Sequence, residues 1–151
     1  MRRVLVGLDA SPRAEQVLDY AIELVRKTGG QLVLLHAYSL PVGLPVEVYA
    51  ISPDTLPDVL ERNARATLDT YAVRVPAGTL AGVRVALGTP WQQICRAAQE
   101  EDADLIVIGS HGYHGIDRIL GTNASRVVNH ADRPVLVVHK GPETPAHATH
   151  P

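Results

Sequence analysis

The sequence predicts an α/β fold in which a parallel sheet is covered on both faces by helices. Apolar runs, VLVGL at 4–8, LVLL at 32–35, LIVI at 105–108 and VLVV at 135–138, are the first observation. Runs without polar alternation belong to strands buried on both faces. The second is that segments with helical periodicity separate them, as crossovers between parallel strands require. The third is the sequel to the run at 105–108, where Gly109-Ser110-His111-Gly112 leads, after residues 113–120, to Gly121-Thr122 and the helix-forming NASRVVNHA. A buried strand, a glycine-rich loop and a helix start, in that order, are the ingredients of a phosphate cradle.

Each element follows from local signals. Arg3 to Leu8 reads as a buried strand. Ser11-Pro12 reads as the N-cap and first position of a helix, in which Ala14, Val17, Leu18, Ala21, Ile22 and Val25 form one apolar face. Gly29-Gly30 ends it. Gln31 to Ala37 is the second strand. Residues 39–57 contain Pro41, Pro45, Pro53 and Pro57, which exclude a regular helix or central strand. Their apolar residues either close over the core or form a lid near a ligand. Leu56, Val59, Leu60, Ala64, Thr67, Leu68 and Tyr71 mark a second amphipathic helix, broken at Pro76 to Gly78.

Val83 to Leu87 suggests a third strand. Thr89-Pro90-Trp91-Gln92 fits a capping box opening a third helix, with Thr89 at the N-cap and Gln92 at N3. Asp104 to Ile108 is the fourth strand, Thr122 to about His130 the fourth helix, and Pro134 to Val138 the fifth strand. Residues 1–140 form one domain. The tail GPETPAHATHP, 141–151, lacks apolar periodicity and is expected to be disordered.

Composition limits the function classes. A chain of 151 residues with 46% hydrophobic residues builds one core, from Val, Leu, Ile and Ala, since Phe is absent. A net charge of −2 argues against broad electrostatic binding to nucleic acid or anionic membrane. A single cysteine, Cys95, excludes an intrachain disulfide and is compatible with a reducing compartment. No apolar run approaches the roughly 18 residues of a membrane helix, and MRRVLVGLD lacks the features of a signal peptide. The expected location is the cytoplasm.

In an open doubly wound sheet, ligands bind beyond the carboxyl ends of the strands, where strand order reverses. Gly7-Leu8-Asp9, His36-Ala37-Tyr38 and the glycine loop converge there. Backbone N–H groups around Gly109, Gly112, Gly121 and Thr122 are the candidate phosphate cradle, with the Thr122 hydroxyl and Asn123 N–H as further donors. Asp9 repels phosphate and suits ribose hydroxyls, an adenine amino group or a bridging magnesium ion. Ala37 is small enough for a flat base to lie against its backbone.

Plainer readings stand beside these. Glycines after a buried strand, and Ser110 with them, serve as turn residues. Asp9 can accept N–H bonds at the first helix. His36 is a satisfied rim histidine, Trp91 packs helices, and Cys95 belongs to the core. His111 and His114 lack the companion ligands of a metal site. GxxxxGK[ST], GxGxxG and GxSxG are all absent, which disfavours a P-loop, a dehydrogenase and an α/β-hydrolase.

Taken together, VLVGLDAS at 4–11, LVLLHAY at 32–38, LGTP at 87–90, DLIVIGSHG at 104–112 and GTNASRVVNHADRPVLVV at 121–138 resemble the universal stress protein family over about residues 1–140. The resemblance implies a Rossmann-like, adenine nucleotide alpha hydrolase-like fold, with five parallel strands in the order 3-2-1-4-5. It also implies a homodimer paired through the strand at 134–138. Some members bind ATP through Gly, two residues, Gly, nine residues, then Gly and Ser or Thr. Gly109, Gly112, Gly121 and Thr122 match the fixed positions, but residues 113–120 make a span one residue shorter. Gly115 tolerates the tighter closure. By similarity Gly7, Leu8, Asp9 and Ala37 line the nucleoside, while Ile108 and Asn123 flank the phosphate loop.

The implied function is a regulatory stress-response homodimer that binds ATP, or ADP or AMP, with magnesium. Catalysis is limited to slow ATP hydrolysis or autophosphorylation, with Ser110 or Thr122 as acceptor. The alternatives are a nucleotide-free interaction protein of the same fold, with a protein partner as its ligand, and a phosphoacceptor receiver using Asp9, Ser110 and Lys140.

Overall fold

A computed structural model describes residues 2–40, 56–110 and 120–139. Most of the 39–57 connection, the loop containing His111, Gly112, His114 and Gly115, and the segment from Lys140 onward lie outside the described residues.

The chain runs β1 (Arg3–Gly7), α1 (Ala14–Thr28), β2 (Gln31–Tyr38), α2 (Leu56–Ala72), β3 (Leu80–Leu87), α3 (Pro90–Glu100), β4 (Leu105–Gly109), α4 (Thr122–His130) and β5 (Val135–Val138). The strands form one sheet in the order β3-β2-β1-β4-β5. Every neighbouring pair is parallel.

The apolar runs hide a period of two. Val4 lies opposite Leu32 and Leu105, and Leu5 opposite Val33 and Ile106. Val4, Val6, Leu32, Leu34, Leu105 and Val107 therefore share a core with α1 and α2. Leu5, Val33, Leu35, Ile106 and Ile108 point the other way, into a core with α3 and α4. Burying each such side chain contributes about 1.5–3 kcal/mol, and the two cores explain why the runs 4–6, 32–35 and 105–108 carry no polar residue.

Three local expectations differ from the structure. α1 starts at Ala14 with Arg13 as N-cap, so Ser11-Pro12 does not cap it. Asp9 Oδ1 accepts the Ser11 N–H at 2.9 Å, and Ser11 Oγ accepts the Arg13 N–H at 3.3 Å. Between them Ala10 adopts φ 61°. The short polar side chains thus build a turn, in competition with the helix. β3 begins at Leu80, ahead of the expected Val83: Leu80 pairs with Leu32 and Gly82 with Val33, and the register shift between them leaves Ala81 as an extra residue within the strand. Thr89 is the N-cap of α3 and Pro90 its first residue, but the Thr89 hydroxyl makes no cap bond, so no capping box closes. The Gly29 stop holds: it sits at φ 79° and donates its N–H to the Val25 carbonyl at 2.7 Å.

The amino ends of β1 and β4 are tied together by Asp104. Its carboxylate accepts the N–H groups of Arg2 at 2.6 Å and Arg3 at 3.0 Å. These bonds, from Arg3 first and then Arg2, hold its pKa below the ordinary 3.8. Such a group stabilises the fold above its unfolded pKa, and that contribution is lost as pH falls through the lower folded value. Asp104→Asn should therefore lower stability at pH 7 and flatten its decline below pH 3.8, read from urea midpoints across that range. Ala10→Gly should raise stability by about 0.5–1 kcal/mol, since it relieves a left-handed residue bearing a Cβ against a modest entropy cost; urea unfolding at neutral pH measures it.

Candidate functional site

The site arises where two neighbouring strands send the chain in opposite directions. β1 and β4 pair side by side. From β1 the chain enters α1, in the first core, whereas after β4 it reaches α4, in the second. The carboxyl ends are left uncovered between the helices. A cavity of about 350 Å³ lies there.

Of the residues singled out in the sequence, Gly7, Leu8, Asp9, Ala37, Ile108, Gly109, Thr122 and Asn123 line this cavity. Gly121 does not line it; its N–H donates to the Ser110 carbonyl at 3.1 Å. Gly112 lies outside the described residues. The sequence reading overlooked Ser11, Arg13 and Gln16 around the first turn of α1, and Pro90 at the start of α3. The apolar wall provided by Leu35, Ile94 and Val127 was overlooked too. Arg13 lies one helical turn before Val17, and the turn that delays the helix, which the sequence reading did not foresee, brings it to the strand ends.

Two glycines work here through close packing. A Cβ on Gly109 would lie 3.0 Å from Val17 Cγ2 of α1. One on Gly7 would lie 3.0 Å from Ile94 Cδ1 of α3 and 3.2 Å from Ile108 Cγ2. Their bare backbones let α1 and α3 approach the strand ends.

The polar groups divide by wall. Gly121, the N-cap of α4, has no side chain to satisfy the first amides, and the first closed helical bond joins the Ser125 N–H to the Gly121 carbonyl at 2.9 Å. The helix itself supplies no acceptor for the N–H groups of Thr122, Asn123 and Ala124, so this end favours an anion. Ser110 anchors it. Only 7% exposed, Ser110 donates its N–H to the Val138 carbonyl at 3.0 Å while accepting from Gly121. Thr122 is exposed. On the other wall, Asp9 uses one oxygen for the Ser11 N–H, and its second oxygen remains an acceptor at the cavity.

The remaining singled-out residues take structural places. His36 Nδ1 is 2.8 Å from the Leu8 carbonyl, a hydrogen bond that puts the proton on Nδ1 and steadies the exit of β1. Trp91 packs at 4.5 Å between ring centroids against His130, and Arg126 lies 5.8 Å from its ring centre, joining α3 to α4. Burial, and then the Asp132 carboxylate, push the Cys95 thiol up, so it stays protonated and poorly nucleophilic. Among the described residues no group of three or more His, Cys, Asp or Glu side chains could hold a metal ion. Among them, too, no helix is long and apolar enough to cross a membrane.

The close packing at the two glycines is testable. Gly109→Val should destabilise the fold by about 1–3 kcal/mol through overpacking against Val17. Adding Val17→Ala should recover part of that loss, whereas equal losses in single and double variants would place the strain elsewhere; urea unfolding reads both.

Comparison with known proteins agrees with this architecture. A profile of the universal stress protein family matches residues 1–139. Universal stress protein A homolog 1 of Coxiella burnetii is 30% identical over 149 residues, covering 91% of this chain and 95% of the relative. The solved structure of universal stress protein UspA from Lactobacillus plantarum superposes with a TM-score of 0.74 at 24% identity, over 91% of this chain and 97% of that one. The universal stress protein from Archaeoglobus fulgidus, solved in complex with dAMP, gives a TM-score of 0.62 at 28% identity, over 91% and 97% of the two chains. With the five-stranded order, the doubly covered sheet and the match over 1–139, the chain belongs to the universal stress protein family.

Proposed function

We propose that the cavity binds an adenine nucleotide, ATP with magnesium, and that the protein is a cytoplasmic regulatory homodimer whose surface changes with nucleotide occupancy. The observation that carries this reading is the union, in one opening, of an apolar slot and an uncapped helix start. Ala37, Leu35 and Ile108 give the slot flat, small or apolar walls, suited to a base. Thr122 and Asn123, at the start of α4, offer amides to phosphates. Asp9 takes the ribose hydroxyls, and its free oxygen is the carboxylate to which a magnesium ion would bind. Gly109, at the end of β4, and Gly112 are the glycines assigned to phosphate contact. Gly121 keeps a buried N-cap free of a Cβ. The dAMP bound by the Archaeoglobus fulgidus relative supports the ligand class.

The homodimer reading rests on the edge of the sheet. β5 is a terminal strand with an apolar sequence, VLVV, and Leu136 on it is 39% exposed. Val128 of α4 is 45% exposed. An apolar edge of this kind needs cover, and a second β5 supplies it.

A nucleotide-free interaction protein is the reading that the Ser110–Gly121 bond favours, because it satisfies part of the loop internally. Calorimetry with ATP, ADP and AMP, with and without magnesium, separates the two. Micromolar binding is expected, and ATP at a hundredfold excess over Kd should add about 2.7 kcal/mol of apparent stability. Gly112→Val should block backbone approach to phosphate and Asp9→Ala should weaken nucleoside recognition. Unchanged ATP affinity in both variants would overturn these assignments.

A further inference from the structure

We propose that Arg13 is the residue through which this site discriminates by phosphate number, so that the preferred ligand is a nucleoside polyphosphate over a monophosphate or a nucleoside. The inference deepens the proposed function and rests on it. Among the described residues lining the cavity, the charged ones are Asp9 and Arg13. A carboxylate fits the sugar end. The amides of α4 recognise an anion but carry only a fractional charge. The full positive charge on the wall belongs to Arg13, and its planar fork matches phosphate oxygens.

Its place in the fold assigns Arg13 to the phosphate end. Arg13 and Val17 are four residues apart on α1, and the Val17 N–H donates to the Arg13 carbonyl at 3.2 Å. They therefore share one helix face. Val17 is the residue that Gly109 approaches so closely that a Cβ would stand 3.0 Å from its Cγ2. Gly109 is the last residue of β4, where the glycine loop departs. α1 begins at the carboxyl end of the sheet, so the turn preceding Val17 lies beyond Gly109, alongside that departure. The Asp9–Ser11 turn produces this placement by delaying the helix to Ala14, with Arg13 as its N-cap. A chain of phosphates leaving the cavity would run between the start of α4 on one sheet face and Arg13 on the other.

The closing experiment is calorimetry of the whole chain, Arg13→Gln and Arg13→Lys with adenosine, AMP, ADP and ATP at fixed magnesium. In the wild type, affinity should rise with each phosphate. Arg13→Gln should lose about tenfold for ATP, the order of one charge-assisted hydrogen bond, with adenosine affinity unchanged, so the ladder flattens. Arg13→Lys should restore most of the ATP affinity, and the salt dependence of ATP binding should fall in Arg13→Gln alone. A merely structural role would lower all four affinities together, and that result, like an unaltered ladder in Arg13→Gln, overturns the assignment of Arg13 while leaving nucleotide binding intact. Failure of the wild type to bind any of the four overturns the proposed function, and this inference with it.

Discussion

The pairing of β1 with β4 is the constraint on which the rest depends. Parallel strands placed side by side by Val4, Leu5 and Val6 against Leu105, Ile106 and Val107 end at the same level, yet their chains continue to helices on opposite faces. Nothing in the backbone can fill the opening above them. The two cores on either side hold that geometry rigid. Leu5 and Ile106 cannot turn towards α1 without dragging Val4 and Leu105 away from it, because adjacent residues of a strand point to opposite faces. The cavity is thus a consequence of topology, and side chains only decide what enters it.

Polar atoms at the strand ends are then arranged to keep the opening open. The Ser110 backbone joins the end of β5 to the start of α4, donating to Val138 and accepting from Gly121. Leu8 donates its N–H to the Leu35 carbonyl at 2.9 Å and shares its own carbonyl with His36. Asp9 is held by the Ser11 N–H. Each tie uses a main-chain group that would otherwise need water or a ligand. What these ties leave is selective: the amides at the head of α4 and one carboxylate oxygen. Ala10, left-handed despite its Cβ, is the local strain that accompanies this arrangement.

The architecture was legible because its causes are short-range. Continuous apolar runs, Gly29 after α1 and Pro90 at the head of α3 each impose one local state, and alternating strands and helices then admit few topologies. The cavity wall was legible for Gly7, Leu8, Asp9, Ala37, Ile108, Gly109, Thr122 and Asn123, because topology brings strand ends together whatever their side chains. The misreadings share a different cause. Ser11-Pro12 carries the chemistry of a helix cap, but Asp9 two residues earlier competes for the same backbone and wins a turn. The early start of β3 depends on an extra residue, Ala81, at the register shift against β2, which the alternation from Val83 to Leu87 does not announce. Arg13 went unnoticed because its importance depends on that same turn. Gly109 was read as a residue for close approach to phosphate, and the contact it makes with α1 is visible only when Val17 is in place.

The two edges of the sheet carry the argument one step further. β3 is fastened to the end of α3 by charge: the Arg84 guanidinium reaches Glu101 at 3.1 Å and also pairs with Glu100, while Arg3 binds Glu101 from β1. Hydrogen bonding to Arg84 comes first in holding the Glu100 carboxyl below its ordinary value. A charged edge of this kind resists pairing with another strand. β5 has no such device within Val135–Val138, where every side chain is aliphatic. The sheet is therefore asymmetric in what it can recruit. Because β5 is joined through Val138 and Ser110 to the start of α4, anything that pairs with that edge bears on a strand whose last residue also lines the cavity. Occupancy of the cavity and cover of the edge meet in the same few main-chain bonds, so whatever fills the cavity has a physical route to the edge of the sheet.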